Sequence, residues 1–373
     1  MRLETFAEIN LDNLAHNIGC IRERVRPATV IPVIKADAYG HGAVLVAGRL
    51  VREGCSMFSV ARFEEGMELR ESGITQPILM LGRLFPENIV QAVKAGLTLS
   101  IFGEEDLDWI ENACGHSGAL PAVVHLKIDS GMGRVGVLSD KAADLFGRLA
   151  KSRICQWEGL YSHFSTADEE DKTYANLQLS RFAGVLRLLT AFSRRPHIIH
   201  MAASGAILDL PQSYFAAVRP GILMYGHYPS KTTSRSILPR QVMSLKTQIA
   251  HLRDMPGGHP VSYGRRWTTP GPTRIAVLPI GYADGLSRRF TNNGEVLIRG
   301  TRYPIVGTVT MDCTMVHVGT DPVAVGDEAL LWGESSDGCI EALEVAERIG
   351  TIPYELTCAV SRRVPRVYIG AAH

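Results

Sequence analysis

The sequence predicts an α/β protein, with a parallel sheet covered by helices in its first part and a mostly β domain after it. Through the first two thirds of the chain, short apolar runs typical of buried strands alternate with amphipathic segments typical of helices. After about residue 240 the pattern changes to short alternating runs separated by Gly, Asp, Pro and Asn. Strands that alternate with helices are expected to run parallel, because each helix returns the chain to the same edge of the sheet.

Eight apolar runs are the candidate strands of the first part. They lie at 29–35, 56–61, 76–81, 97–102, 122–128, 157–163, 198–203 and 216–222. The amphipathic segments between them include 64–72, 86–95, 104–114, 141–151 and 174–192. Eight such units fit a (β/α)8 barrel better than an open doubly wound sheet, although periodicity by itself leaves closure undecided.

The second part follows a polar stretch at 228–240 that lacks apolar periodicity. We expect strands at 244–252, 274–280, 295–298, 314–318 and 328–332, and one helix at about 340–349. The predicted domains are a barrel over residues 1–230 and a β-rich carboxyl-terminal domain over residues 231–373.

The composition argues against several classes of partner. The chain of 373 residues has 39 Lys and Arg against 38 Asp and Glu, so we expect neither nucleic acid nor a membrane surface as a partner. Its seven cysteines are scattered without C-x-x-C spacing, which indicates free thiols in a reducing compartment. We find no signal pattern at the amino terminus and no apolar stretch of bilayer length, and we predict a cytoplasmic protein. No metal site emerges, because His197 and His200 lie three apart in a strand pattern and face opposite sides.

Lys35 directly follows the first apolar run and precedes a glycine-containing polar turn. Ligands bind at the carboxyl ends of parallel strands, and apolar surroundings disfavour the charged form of an amine. Such a lysine suits nucleophilic attack on a cofactor aldehyde. The alternative for a single lysine is a side chain that extends from the strand end into solvent.

The eight residues from Lys35 to Gly42, KADAYGHG, resemble the pyridoxal-phosphate attachment signature of the alanine racemase family. The resemblance extends over nearly the whole chain. It implies a closed (β/α)8 barrel followed by a β domain, with pyridoxal 5'-phosphate attached to Lys35.

Polar residues at the ends of several other candidate strands are expected to meet Lys35 at the barrel mouth. They are Lys127 and Asp129 at the fifth, His163 at the sixth, Ser204 at the seventh and Arg219 in the eighth. Each has a simpler explanation when taken alone; His163, for example, fits a hydrogen-bonded core histidine. Their convergence at one rim favours a functional site.

Arg219 precedes Pro220, Gly221 and Ile222. Backbone amides next to the glycine, together with the Ser204 hydroxyl, are suited to hold a phosphate. The resemblance implies that Arg219 faces the pyridine nitrogen of the cofactor. Because arginine does not readily lend a proton, the cofactor is then a weaker electron sink, which suits a racemase.

A G-x-G-x-x-G match at 131–136 follows the fifth candidate strand. We reject a dinucleotide site there, because the strand ends in Lys127 and Asp129, and Glu158 is a single ordinary acidic residue at ribose distance. The resemblance implies that Arg134 binds the substrate carboxylate and that a carbamylated Lys127 orients it.

Racemisation needs an acid/base group on each face of the α-carbon. Lys35 supplies one, and Tyr263 matches the family's catalytic tyrosine on the other. A tyrosine has an ordinary pKa of about 10, so we expect His163 and Arg219 to act as neighbouring cations that help it. The resemblance implies a homodimer in which Tyr263, Met311 and Asp312 enter the site of the other subunit.

The remaining matches lie around the cofactor and the entrance. The resemblance places Tyr39 and Tyr354 near the cofactor phosphate, with Tyr354 narrowing the substrate side as in alanine-specific members. It places Tyr282 at the entrance. One departure is Thr308, where many relatives have an arginine near the entrance, so we expect the charge there to differ.

These features predict racemisation of L- and D-alanine by a two-base mechanism, which supplies D-alanine for bacterial cell-wall peptidoglycan. A serine or broad-specificity amino-acid racemase on the same scaffold is an alternative. A non-catalytic pyridoxal-phosphate carrier is an alternative of another class, although carriers lack the second domain that contains Tyr263.

Overall fold

The structure is a computed structural model that describes residues 4–119 and 121–370. Residues 1–3, which belong to the amino terminus for which we predicted no signal pattern, lie outside the described residues. The strands of the first part are β1 (Phe6–Asn10), β2 (Thr29–Val30), β3 (Phe58–Val60), β4 (Ile78–Met80), β5 (Leu97–Ile101), β6 (Ala122–Asp129), β7 (Val137–Leu138), β8 (Cys155–Tyr161), β9 (Ile198–Ala203) and β10 (Ala217–Arg219).

Eight of these strands form one parallel sheet that curls into a barrel. Their order is β2-β10-β9-β8-β6-β5-β4-β3, and the short β7 pairs with β6. The two ends of this order meet at a parallel bridge between Val33 and Ser59, where the Ser59 N–H donates to the Pro32 carbonyl at 2.9 Å. The (β/α)8 prediction is therefore confirmed, and the eight candidate runs correspond to the eight barrel strands.

The helices are α1 (Leu11–Val25), α2 (Lys35–Gly40), α3 (Ala43–Arg52), α4 (Phe63–Glu71), α5 (Pro86–Lys94), α6 (Glu104–Ser117), α7 (Ala142–Lys151), α8 (Thr173–Leu188), α9 (Ser204–Asp209), α10 (Ala342–Arg348) and α11 (Pro353–Cys358). The five predicted amphipathic segments correspond to α4 through α8. Within the ranges that the structure describes, none of the helices is both long and apolar enough to cross a membrane.

The second part is built from a mixed seven-stranded sheet, which includes β1, and smaller antiparallel sheets of three and two strands. Its strands are β11 (Met243–Gln248), β12 (His251–Met255), β13 (Pro260–Val261), β14 (Trp267–Thr268), β15 (Thr273–Leu278), β16 (Glu295–Ile298), β17 (Thr301–Pro304), β18 (Thr314–Gly319), β19 (Glu328–Ser335), β20 (Gly338–Ile340) and β21 (Arg366–Ile369). The run predicted as one strand at 244–252 is two strands in different sheets, because β11 pairs with β19 whereas β12 pairs with β15.

β1 joins this second part although it begins the chain. It pairs antiparallel with β11 and parallel with β21, so the first and last described strands are neighbours. This pairing places the second part beside the barrel.

The strands of the barrel are largely buried. All residues of β3, β4 and β5 are buried, because helices cover the outside of the sheet and side chains fill the inside. Each buried Leu, Ile or Phe side chain contributes roughly 1.5–3 kcal/mol to folding. The strand ends are therefore a firm support for the polar residues at the mouth.

Candidate active site

A cavity of about 600 Å³ opens at the carboxyl ends of the barrel strands, and we call it the mouth cavity. The predicted site residues that line it are Lys35, Tyr39, Lys127, Arg134, His163, Ser204, Arg219, Gly221, Ile222 and Tyr354. Two lining residues that sequence analysis did not single out, Tyr161 and Cys358, are also present. The expected convergence at one rim therefore occurs for these residues, whereas Asp129 lines a separate cavity beside the glycine-rich loop.

Four other predicted residues lie outside the mouth cavity of their own chain. Tyr263 is 75% exposed, Met311 52% and Tyr282 43%, and the Asp312 side chain is also exposed. Tyr263 lines a different, shallower cavity between β13, β15 and β18. One chain by itself does not bring Tyr263 and Lys35 into one cavity.

Lys35 begins α2, whose interior is left-handed. Ala36 through Tyr39 have φ angles between 52° and 56°, a conformation that costs roughly 1–2 kcal/mol per residue for L-amino acids. Glu65 supports it: one carboxylate oxygen accepts the Ala36 N–H at 2.7 Å and the other accepts the N–H groups of Ala61 and Arg62. Sequence analysis missed Glu65, because nothing local in α4 indicates a contact 29 residues away.

The electrostatics around Lys35 favour its neutral amine. Burial lowers the pKa of Lys35 below its ordinary value, and the positive charge of Arg134 lowers it further. Glu65 and the Cys358 thiol act in the opposite direction. A neutral amine is the form that can attack an aldehyde or accept a proton.

Arg219, the last residue of β10, is a buried residue in the wall of the mouth cavity. Its Nη2 donates to the carbonyls of Ser162 at 2.7 Å and Met201 at 3.1 Å, and its Nη1 donates to His200 Nδ1 at 2.5 Å. Within the part of the chain that the structure describes, no carboxylate forms an ion pair with it. Burial lowers the pKa of Arg219 to about 10, so the guanidinium stays charged at neutral pH.

His163 is a neutral imidazole in this chain, which corrects the expectation that it acts as a cation. Burial lowers its pKa well below the ordinary value, and Arg219 and Lys127 lower it further. Its Nδ1 lies 3.2 Å from Arg219 Nη2 and must accept, because a guanidinium can only donate. The ring proton is therefore on Nε2, as a hydrogen-bond donor at the cavity.

Lys127 is a buried amine among cations. Its Nζ lies 4.9 Å from the centre of the Tyr161 ring. Burial, together with the positive charges of Arg219 and Arg134, lowers the pKa of Lys127 to about 7, although Asp129 opposes the shift. Close to neutral pH this side chain has a substantial fraction of neutral amine.

The glycine-rich loop after β6 is held by Asp129. Its Oδ1 accepts the N–H groups of Gly131 at 2.8 Å and Met132 at 2.7 Å, and its Oδ2 accepts that of Gly133 at 2.9 Å. Burial by itself would raise the pKa of this carboxyl, but these N–H groups lower it below the ordinary value. Because the amides are already bonded and the loop does not open a helix, it lacks the features of a dinucleotide site.

A candidate phosphate site lies after β9 and β10, around Ser204, Gly221 and Ile222. The Ser204 oxygen accepts the N–H groups of Gly221 at 3.0 Å and Leu223 at 3.2 Å, and among the described residues the Ile222 N–H has no backbone acceptor. A Cβ on Gly221 would lie 2.5 Å from the Tyr39 hydroxyl, so only glycine fits there. The Tyr39 and Tyr354 rings, whose centroids are 6.0 Å apart, lie on the same side of the mouth cavity.

Thr308 supports the Tyr263 segment through its side chain. It is buried, and its hydroxyl donates to the Tyr263 carbonyl at 2.7 Å. The Ser262 hydroxyl in turn donates to the Thr308 carbonyl at 2.6 Å. The threonine therefore acts on the backbone of the loop.

Comparisons with known proteins agree with this geometry. The family model for the alanine racemase N-terminal domain matches residues 9–229, and the model for the C-terminal domain matches residues 242–368. The chain belongs to the alanine racemase family. It is therefore an isomerase, as the KADAYGHG resemblance implied.

Individual members of the family align along the full length. Alanine racemase 2 of Caldanaerobacter subterraneus subsp. tengcongensis is 43% identical over 368 residues, which are 98% of this chain and 95% of that protein. The alanine racemase of Clostridium difficile 630 has a TM-score of 0.94 at 39% identity, over 100% of this chain and 97% of that one. The same enzyme in complex with cycloserine has a TM-score of 0.91 at 38% identity, with the same coverage of 100% and 97%.

Proposed function

We propose that this protein interconverts L- and D-alanine with pyridoxal 5'-phosphate and two acid/base residues, in a homodimer with shared sites. The observation that carries the proposal is the mouth cavity, where a lysine with a lowered pKa, the Ser204 hydroxyl with the backbone at Gly221 and Ile222, and a buried arginine line one space. Membership of the alanine racemase family supports it.

The residues present fit the cofactor. Pyridoxal phosphate supplies an aldehyde that bonds to an amine and a ring that withdraws electrons from the α-carbon. Lys35 is the amine, whereas Ser204, Tyr39, Tyr354 and the backbone at Gly221 and Ile222 would hold the phosphate. The close approach of Tyr39 to Gly221, which leaves no room for a Cβ, supports this assignment.

Arg219 would face the pyridine nitrogen. Its N–H groups point at carbonyls and imidazoles, with no carboxylate partner in the described part of the chain. A guanidinium that keeps its proton leaves the ring nitrogen unprotonated. Restrained electron withdrawal favours return of the proton to the α-carbon over loss of other groups, which suits racemisation and argues against decarboxylation.

Proton transfer needs Lys35 on one face of the α-carbon and Tyr263 of the other subunit on the opposite face. The exposure of Tyr263, and its separation from the mouth cavity of its own chain, support this arrangement. Met311 and Asp312 would enter with it, and Tyr282 would line the entrance. His163 then helps Tyr263 as a neutral Nε2–H donor, while Arg219 supplies the positive charge behind it.

The substrate carboxylate would bind Arg134, with Lys127 as its support in carbamylated form. A buried amine with a pKa of about 7 is suited to add carbon dioxide. Tyr354 narrows the cavity beside Tyr39, which favours the small side chain of alanine. The product would serve peptidoglycan synthesis, and the seven free cysteines support a reducing, cytoplasmic setting.

The test combines an absorption spectrum with a chiral assay. Purified protein should show a visible absorption band from lysine-bound cofactor and convert L-alanine to D-alanine. Lys35→Ala should lose both, whereas Lys94→Ala, at an exposed lysine of α5, should keep both. Serine turnover equal to or faster than alanine turnover would contradict alanine specificity, and cofactor binding without racemisation would indicate a carrier.

A further inference from the structure

A chain of buried hydrogen bonds leads from Arg219 away from the mouth cavity. Arg219 Nη1 donates to His200 Nδ1, His200 Nε2 lies 2.9 Å from His125 Nδ1, and His125 Nε2 lies 3.0 Å from Glu158 Oε2. Both imidazoles are fully buried, whereas the Glu158 side chain is 18% exposed. We call these four residues the Arg219–Glu158 chain.

The groups at the two ends of the Arg219–Glu158 chain determine the direction of each hydrogen bond between them. An ionised Glu158 can only accept, so His125 donates from Nε2 and its Nδ1 is left as an acceptor. His200 then donates from Nε2 to that nitrogen, which leaves its own Nδ1 as an acceptor. Arg219 can only donate, and it meets that acceptor. Both ends therefore require the same tautomer, with the proton on Nε2, in both histidines.

Charge and packing support two neutral imidazoles. Burial lowers the pKa of His200 well below its ordinary value, with Arg219, His125 and Lys127 adding to the shift. Burial also lowers the pKa of His125, although Glu158 opposes it and Arg219 and His197 add to it. The hydrogen bond from His125 lowers the pKa of Glu158 below its ordinary value, so the carboxylate is ionised at neutral pH.

The arrangement is closely packed. A Cβ on Gly159 would lie 2.3 Å from His125 Nδ1, so a glycine is needed for the ring to sit there. The His200 ring stacks on Tyr161 at 4.8 Å between centroids and 3° between planes. Neither ring has room to rotate and exchange its nitrogens.

We propose that Glu158 and His125 are positioning residues that fix the tautomer of His200 and, through it, the place of the Arg219 guanidinium behind the reacting group. The role rests on the proposed function, in which Arg219 faces the pyridine nitrogen. Without the carboxylate, Arg219 alone opposes the reversed direction, and the His125 Nε2–H is left without its acceptor. The reversed direction, in which His125 and His200 both carry the proton on Nδ1, then becomes populated, and in that form a His200 donor faces the Arg219 donor.

The test compares Glu158→Leu with Glu158→Gln in the full-length protein saturated with pyridoxal phosphate. The glutamine oxygen can still accept a hydrogen bond from His125 Nε2, so this variant should keep the wild-type direction of the hydrogen bonds. The leucine side chain cannot accept a hydrogen bond. Glu111→Leu is the control, because Glu111 is also a partly buried carboxylate, bonded to Arg148 and Ser152 away from the cavity.

The deciding measurement is the tautomer of each imidazole, obtained by ¹⁵N NMR. A purely structural role of Glu158 would leave the tautomers unchanged. Wild type, Glu158→Gln and Glu111→Leu should show the proton on Nε2 of both His125 and His200. Glu158→Leu should show Nδ1–H in His200, a shifted cofactor absorption band and cofactor binding weaker by about fivefold or more, as expected for the loss of one buried charged hydrogen-bond partner.

Two results would overturn the proposal. One is a proton on Nδ1 of His200 in the wild type, a measurement that remains available if Glu158→Leu does not fold. The other is a Glu158→Leu protein with wild-type tautomers and spectrum. If the wild-type protein neither binds pyridoxal phosphate nor racemises alanine, the proposed function fails instead, because the tautomers are observed independently of both.

Discussion

Lys127 shows at the scale of one residue how the site uses burial. Its amine is packed against the Tyr161 ring, with the positive charges of Arg219 and Arg134 close by. An ammonium there is disfavoured by both desolvation and repulsion. Conversion to a carbamate would replace a third cation by an anion and remove the repulsion.

Carbamylation of Lys127 should therefore rise with pH. Its pKa is lowered from 10.5 to about 7, so the reactive neutral amine is scarce at pH 6 and dominant at pH 8. ¹³C NMR with ¹³C-bicarbonate should show a carbamate signal that grows over this interval and is absent in Lys127→Met. No signal at pH 8 in wild type would contradict the assignment.

The lowered pKa of Lys127 also makes the free energy of unfolding depend on pH. If carbon dioxide is excluded, the unfolded chain binds a proton at Lys127 up to about pH 10.5, whereas the folded chain releases it near pH 7. Since the unfolded state binds more protons between these values, this residue makes the folded state more stable as pH rises through that window. The difference between wild type and Lys127→Met in urea unfolding should follow this trend.

Thr308 is a second residue with a specific expectation. Its hydroxyl donates to the Tyr263 carbonyl, so Thr308→Val should loosen the loop while preserving shape. We expect kcat to fall about fivefold, the effect of roughly 1 kcal/mol from one hydrogen bond, with little change in KM. Thr308→Ser keeps the donor and should restore kcat; equal losses in both variants would contradict a hydrogen-bonding role.

At the scale of elements, the strained segment is α2. Four successive residues are left-handed, and the segment is held between Glu65 on one side and the Asp37 carboxylate, which accepts the Ala43 N–H at 2.7 Å, on the other. Strain of this kind persists only where the surroundings enforce it. Here the result is that Lys35 is aimed at the mouth cavity.

Removal of Glu65 should release this segment. Glu65→Leu leaves the N–H groups of Ala36, Ala61 and Arg62 without their acceptor, at a cost of roughly 1–3 kcal/mol for each that stays buried. We expect a lower urea midpoint and weaker pyridoxal phosphate binding, measured by fluorescence titration. Glu64→Leu, at the exposed neighbouring position, is the control. Unchanged cofactor binding in Glu65→Leu would mean that α2 holds its shape without this carboxylate.

The sequence predicts those elements whose cause is local. Each barrel strand lies in a mostly apolar run, and α4 through α8 have one apolar face, so all were predicted. β1 was not, because its partners β11 and β21 are far away in the chain. The roles of Glu65, His125 and His200 were missed for the same reason, since they depend on contacts between distant segments. Lys35 and Arg219 were predictable from their places at strand ends.

At the scale of the whole molecule, the chain carries the two parts of its proposed site on different surfaces. Lys35 lines the mouth cavity, whereas Tyr263 and Met311 are exposed on the second part. Exposed apolar and aromatic side chains of this kind are typical of surfaces that bind a partner. In the proposed two-fold dimer, symmetry would place this surface of each subunit over the mouth cavity of the other, so that both sites are shared.

Subunit complementation tests this central claim most directly. Lys35→Ala and Tyr263→Phe chains with different tags are co-expressed, and the hybrid dimer is purified. If the site is shared, one site of the hybrid has both wild-type residues, and alanine racemisation should return to about half of the wild-type rate. A hybrid of wild type with the Lys35→Ala/Tyr263→Phe double variant should then be inactive. The opposite pair of results, an inactive first hybrid and a half-active second one, would show that both residues act within one chain.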